Sequence, residues 1–167
     1  MRGVPPEIIF NFPILPEETP RGTRQYKIIP MRAFHYAFKV KDIASTRKFY
    51  VDILGCKEGR STETWIDFNF FGNQLSAHVS AQIPEPDFCG QVDGIPVPIP
   101  HFGCLLEPEE FKIIQEKLEA AQTRFIVQPQ KRYSGKTGEQ LTMFVLDHSG
   151  NPLEFKAFTN NDEVFSV

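Results

Sequence analysis

No cluster of lysines and arginines occurs anywhere in the sequence: 18 basic and 21 acidic side chains are interspersed, giving a formal net charge of -3. That balance offers no electrostatic footprint for nucleic acid or an anionic membrane, so neither is expected as a partner. No stretch approaches the roughly 18 consecutive apolar residues of a membrane span. Met1 to Phe10 has neither the basic start nor the apolar run of a signal peptide. A cytoplasmic protein is expected. Cysteine is scarce, and Cys56, Cys89 and Cys104 are odd in number, far apart and outside any CxxC pair. This excludes a disulfide framework and a zinc knuckle. The glycine-lysine stretch "RYSGKTGEQ" (132–140) lacks the GxxxxGK[ST] spacing and opens no helix, so it reads as a hairpin tip over a cavity mouth rather than a phosphate loop.

What the chain has in quantity is apolar, aromatic and proline residues. With 41% hydrophobic and 13% aromatic content over 167 residues, it can build the core of one domain or of two small units sharing one. Prolines 5, 6, 13, 16, 20 and 30 leave residues 1–30 with little periodicity, which predicts an extended arm. Prolines 84, 86, 96, 98 and 100 cannot propagate a helix or an interior strand, so 84–100 reads as a linker between halves at 31–83 and 101–158, with 159–167 as a tail.

Those halves are alike. "AFHYAFKV" (33–40) is strand-like, and the stretch after it places Asp42 as a helix N-cap, spaces Ile43, Phe49, Tyr50, Ile53 and Leu54 helically and stops at Gly55. "HFGCLLE" (101–107) is again a strand, and the next helix opens on Pro108 and buries Phe111, Ile114, Leu118 and Ala121. Three strand-like runs follow the second helix and two follow the first. Laying one half on the other superposes the turn Gly72-Asn73 on Gly150-Asn151, His35 on His101 and Ser76 on Glu154. A duplicated βαβββ unit and an α+β fold are the economical account.

One residue disturbs the pattern. In "DHSGNPLEFKAF" (147–158), Glu154 sits among Leu153, Phe155, Ala157 and Phe158, so either that face of the strand meets water or a partner offsets the desolvation of the carboxylate. Strand parity sets His35 opposite the apolar face of Tyr36 and Phe38, His101 opposite Cys104 and Leu106, and Glu154 opposite Leu153 and Phe155. Aimed into one cavity, two imidazoles and a carboxylate form a facial triad suited to Fe(II), with Mn(II), Zn(II) or Ni(II) acceptable. A divalent cation would then be the partner of Glu154.

These stretches carry a resemblance. "HYAFKV", "STRKFYVDILGC", "HFGCLL" and "DHSGNPLEFKAF" resemble the glyoxalase/bleomycin resistance/extradiol dioxygenase (vicinal oxygen chelate) superfamily, and "GRSTETWIDFNFFGNQLSAH" resembles its branch of predicted extradiol dioxygenases. The resemblance spans about residues 31–158 and implies two βαβββ modules curled into a half-barrel around a divalent metal. His35, His101 and Glu154 match the family's ligand positions. Ser76 stands where four-ligand glyoxalase I enzymes carry a further donor; a hydroxyl is a poor ligand, so more positions stay open for oxygen chemistry. By the same resemblance His78 is the expected acid/base. Phe144 stands where ring-cleaving members tend to place a tyrosine, with Tyr133 the candidate substitute. Trp65 and Phe71, with Ser76 and Tyr133, are candidates for contact with a small-molecule substrate, while His148 is expected in a solvated turn.

The function so implied is an Fe(II)-dependent, extradiol-dioxygenase-like oxidoreductase acting on a substrate with neighbouring oxygens. Glyoxalase I-like lyase/isomerase or thiol transferase chemistry is the alternative. A sequestering protein of the bleomycin resistance type is the alternative of another class. Subunits of the family often pair, so a homodimer is expected.

Overall fold

The computed structural model describes residues 14–17, 25–28 and 32–166. The chain divides into two compact units, Met1–Phe34 and His35–Val167. In the first, β1 (Ile14–Glu17) pairs antiparallel with β2 (Gln25–Ile28), Ile14 opposite Ile28. The remainder of the expected arm, and Val167 of the tail, lie outside the described residues.

The second unit opens with β3 (His35–Val40) and α1 (Ile43–Arg47), which continues as a π-helical turn over Lys48–Ile53. Asp42 caps α1 as its sequence position predicts, accepting from the Ser45 amide at 2.7 Å and the Ser45 hydroxyl at 2.8 Å. Gly55, at φ +80°, takes the left-handed conformation that lets the chain leave the helix. β4 (Lys57–Ser61), β5 (Trp65–Phe70) and β6 (Asn73–Val79) complete a sheet of order β3-β6-β5-β4, parallel between β3 and β6 and antiparallel elsewhere.

The second half repeats the plan. β9 (Phe102–Leu105), α2 (Pro108–Ala120), β10 (Phe125–Arg132), β11 (Gln140–Leu146) and β12 (Pro152–Phe158) build a sheet of order β9-β12-β11-β10, with β9 and β12 parallel. The fold is α+β, built of two βαβββ modules. Phe111, Ile114 and Leu118 are buried along α2, but Ala121 is its exposed C-cap, because the helix stops one residue short of the next inward position. Between the modules, the proline-rich stretch forms a small hairpin of β7 (Gly90–Val92) and β8 (Ile95–Val97). Pro96 is compatible with it because a two-stranded ribbon has only edges, and Asp93-Gly94 turns the chain at φ +49° and +83°.

Both modules turn their helix-bearing faces into one core, which joins Phe38, Val40, Tyr50, Phe68 and Phe70 to Phe111, Leu118, Leu153 and Phe155. Rings meet across the seam, Phe38 with Phe102 at 5.2 Å and Phe70 with Phe155 at 6.2 Å. The turn before β12 stitches the modules. Asp147 accepts from the Tyr50 hydroxyl at 3.1 Å and from the amides of Ser149 and Asn151 at 2.8 Å each, while the Ser149 hydroxyl accepts from the Lys41 amide at 3.0 Å. Tyr50 is fully buried, so Asp147→Ala would strand its hydroxyl together with two backbone donors. We expect a loss of about 3 kcal/mol, seen as a lower urea midpoint at unchanged m value.

Candidate functional site

The outward faces of the two sheets carry the polar residues. On the second module, β12 alternates Leu153, Phe155 and Ala157 into the core with Glu154 and Lys156 away from it. Glu154 is only 8% exposed, and the chain itself supplies its partners. The Thr142 hydroxyl donates to Oε1 at 2.8 Å, and Oε2 lies 3.2 Å from His101 Nε2 and 3.2 Å from the Lys156 ammonium. Burial raises the Glu154 pKa, but His101, Lys156 and Thr142 together outweigh it and hold the carboxyl below its usual range. His101 is shifted upward, chiefly by the hydrogen bond to Glu154. The carboxylate therefore has donors around it before any cation arrives.

His101 is held from behind. Its Nδ1 lies 2.8 Å from the carbonyl oxygen of Pro98, which can only accept, so Nδ1 carries a proton; Nε2 donates to Glu154 when the ring is an imidazolium and holds a lone pair when it is neutral. The linker hairpin keeps Pro98 in place. Val92 and Val97 pack on Val127 and Phe144, and the Asp93 carboxylate accepts from Arg132 at 2.8 Å. The Phe144 ring stands edge-on to His101 at 5.0 Å. The linker's prolines carry no sequence signal for this role, although Asp93-Gly94 before the β-branched Ile95 is a hairpin marker.

On the first module, the parallel register puts His35 beside Gln74, Ala37 beside Ser76 and Lys39 beside His78. β5 adds Asp67 beside Ser76 and Trp65 beside His78. His35 Nδ1 lies 3.0 Å from Gln74 Oε1, the Gln74 amide donates to Asp67 at 3.3 Å, Arg60 donates at 3.2 Å and the Ser76 hydroxyl at 2.5 Å. Asp67 is 6% exposed. Burial raises its pKa, but the hydrogen bonds from Ser76, Arg60 and Gln74 leave it below the ordinary aspartate value. With its proton committed to Asp67, Ser76 offers only lone pairs to whatever covers this face. Sequence reasoning missed Asp67; the available signal was a carboxylate in an aromatic strand, in parity with Trp65.

His101 and Glu154 are thus brought together, and His35 is not with them. Because the two sheets share one core on their inner faces, the face carrying His35 and the face carrying Glu154 turn away from each other. Among the described residues no group of three His, Cys, Asp or Glu side chains converges as a metal site.

The other candidates separate similarly. His78 stacks on Trp65 at 6.4 Å, and the Arg60 guanidinium lies 5.7 Å from the Trp65 ring centre. Four strand residues beyond Gln74, His78 stands about 13 Å along β6 from the level of His35. Phe71 does not face this surface: at φ +49° in the β5–β6 turn, its ring packs on Phe70 and Phe155 of the core. Tyr133 lies past the end of β10 at the hairpin tip, its hydroxyl accepting from Arg132 at 3.1 Å. His148 is exposed in its turn, with Nδ1 on the Ser45 carbonyl at 3.0 Å. A cleft of about 330 Å³ opens at the module seam, floored by Tyr36, Phe38 and Phe102 and lined by neither His35 nor Glu154.

A family model described as the Glyoxalase/Bleomycin resistance protein/Dioxygenase superfamily matches residues 32–155. Among solved structures, a glyoxalase/bleomycin resistance protein/dioxygenase from Alicyclobacillus acidocaldarius is 30% identical, with 82% of this chain and 98% of that one covered and a TM-score of 0.66. The genomically encoded fosfomycin resistance protein FosX from Listeria monocytogenes is 16% identical over 83% of this chain and all (100%) of that one, TM-score 0.56. A glyoxalase/dioxygenase from Nostoc punctiforme is 19% identical over 77% and 92%, TM-score 0.57. The last two likenesses show the fold alone. No curated protein matches the chain.

Proposed function

Because the chain belongs to the Glyoxalase/Bleomycin resistance protein/Dioxygenase superfamily, we propose that it is a metal-dependent enzyme whose site is completed between two copies, His101 and Glu154 from one protomer and His35 from its partner. The superfamily holds enzymes and also non-enzymatic resistance proteins, and one observation favours an enzyme here. His101 Nε2 and Glu154 Oε2 converge to 3.2 Å, near the ~3 Å that separates neighbouring donors around a cation bound at ~2.1 Å. Each imidazole has its Nδ1 engaged from behind, by Pro98 and by Gln74, the orientation that frees Nε2 for a cation. The donor set therefore fits a divalent metal. A second copy is the economical source of the third donor, since the shared core turns His35 away from Glu154 within one chain.

Two imidazoles and one carboxylate suit Fe(II), with Mn(II), Zn(II) and Ni(II) also accepted. When bound, the cation would supply Lewis acidity toward neighbouring substrate oxygens and, as Fe(II), access to oxygen chemistry. The chain's own residues do the rest. Thr142 ties Oε1 of Glu154 so that Oε2 faces the site, and Phe144 shields one side of His101 from water. Lys156 places an ammonium where a substrate's anionic oxygen would meet it. Trp65 and the stacked His78 contact substrate, and His78 carries its proton there rather than beside the cation. An extradiol-dioxygenase-like reaction on a small substrate with vicinal oxygens follows from the open positions. The glyoxalase-like alternative needs a further carboxylate or amide donor at the level of Ser76, where the adjacent carboxylate, Asp67, is already committed to Ser76, Gln74 and Arg60.

Anaerobically purified protein is expected to take up one Fe(II) per chain and consume oxygen with a catechol or another vicinal diol, and Glu154→Ala should lose most of the metal. Full metal retention in that variant would sink the reading. Isomerisation of a glutathione hemithioacetal without oxygen uptake would transfer it to the lyase/isomerase class.

A further inference from the structure

Asp67 touches neither imidazole, yet its hydrogen bonds determine which nitrogen of His35 carries the proton. The carboxylate is buried on β5 and receives three donors, from Ser76, Arg60 and Gln74. An ionised carboxylate only accepts, so the Gln74 group facing Oδ2 has to be the NH2. A primary amide has two ends, and fixing one fixes the other. The Gln74 carbonyl oxygen is then the end that faces His35 Nδ1 at 3.0 Å. A carbonyl oxygen only accepts as well, so Nδ1 is the donor and Nε2 holds the lone pair. The backbone keeps the line straight, since His35 and Gln74 are register partners on β3 and β6, and Asn69 and Asp67 flank Gln74 and Ser76 on β5.

We propose that Asp67 and Gln74 are positioning residues that act as a polarity relay, Asp67 to Gln74 to His35, holding His35 as the Nδ1–H tautomer with Nε2 open to a ligand. Pro98 does the same for His101 with a backbone carbonyl, which cannot be reversed. On the His35 side the acceptor is a side-chain amide that can turn over, so an anion behind it is required. Arg60 and Ser76 keep that anion charged and in place. The use of the open Nε2 rests on the reading of His35 as a metal ligand, but the tautomer itself does not.

The test is ¹H–¹⁵N NMR of ¹⁵N-histidine-labelled, metal-free protein at a pH where the imidazoles are neutral, with the His35 signals assigned by their loss in His35→Ala. Wild type is expected to show His35 protonated on Nδ1. Asp67→Leu leaves the Gln74 amide no acceptor, so either of its ends can face His35; Asp67→Asn would not do this, because its carbonyl oxygen would keep the place facing Arg60 and Gln74. The Nδ1–H preference should therefore be lost, with both tautomers populated, and Mn(II) affinity should fall about 10-fold. Gln74→Leu, at a half-buried position where folding is less at risk, should also release the Nδ1–H preference. A wild-type His35 protonated on Nε2, or an Asp67→Leu spectrum unchanged in a folded protein, would overturn the relay. If the tautomers behave as expected but wild type binds no divalent cation, the relay stands and the metal reading falls.

Discussion

Gly103→Ala is expected to destabilise the protein by about 3 kcal/mol and to abolish metal binding at the same time. In the parallel pairing of β9 with β12, Gly103 lies opposite Glu154, and a methyl group at Gly103 would run into the Glu154 backbone carbonyl. A side chain in the way can rotate aside; a carbonyl in the middle of a sheet cannot. The strands must part, and the residue displaced first is the carboxylate that His101, Lys156 and Thr142 converge on. Gly72→Ala provides the comparison. Its left-handed conformation costs about 1 kcal/mol, but no atom stands within 4 Å of the added methyl, so the site should stay intact. Urea midpoints and bound metal measured on both variants check the pair. A Gly103→Ala protein with wild-type stability and full metal content would contradict the β9–β12 register on which the site is built.

Local periodicity carried the reading a long way and then stopped for a physical reason. Alternation along β3 and β12 is visible because a strand buried on one face has to repeat every second residue, and the facing of His35 and Glu154 was legible from it. The α+β duplication was legible because two copies of one pattern support each other; Asp42 and Pro108 mark helix starts, and Gly55 a helix stop, by rules that act within a few residues. Which way the two modules face depends on how the apolar surfaces of Phe38, Tyr50, Phe70 and Phe155 meet across the seam, and strand parity is silent about it. Whether the cavity into which His35, His101 and Glu154 are expected to aim lies within one chain or between two was therefore not legible in strand parity. Phe71 misled for a local reason: it has the ring of a pocket wall but occupies a left-handed turn position that swings it into the core. Asp67 was hidden because an aspartate in "TWIDFNF" reads as an exposed residue of a half-buried strand, and only the pairing of β5 with β6 shows the three donors that meet it.

Mixing two dead variants is expected to restore the site. His35→Ala lacks the donor of one sheet face, and Glu154→Ala lacks a donor of the other, so homodimers of either should bind little metal and show no turnover. If the site is shared, a mixed dimer contains one position built from the intact His35 of one chain with the intact His101 and Glu154 of the other. Its second position lacks both. Random exchange of an equal mixture makes about half the dimers mixed, so about a quarter of the wild-type metal and activity should return. A site held within one chain cannot be rescued this way, because each chain would carry its own defect regardless of its neighbour. The measurement is metal per chain and oxygen uptake after the two variants are partly unfolded in urea together and refolded, with native mass spectrometry counting mixed dimers. Mixed dimers formed in the expected proportion with no recovered metal would remove the shared site. Recovery to about a quarter would place His35 and Glu154 of different protomers around one cation, which is the arrangement their opposed faces in the single chain require.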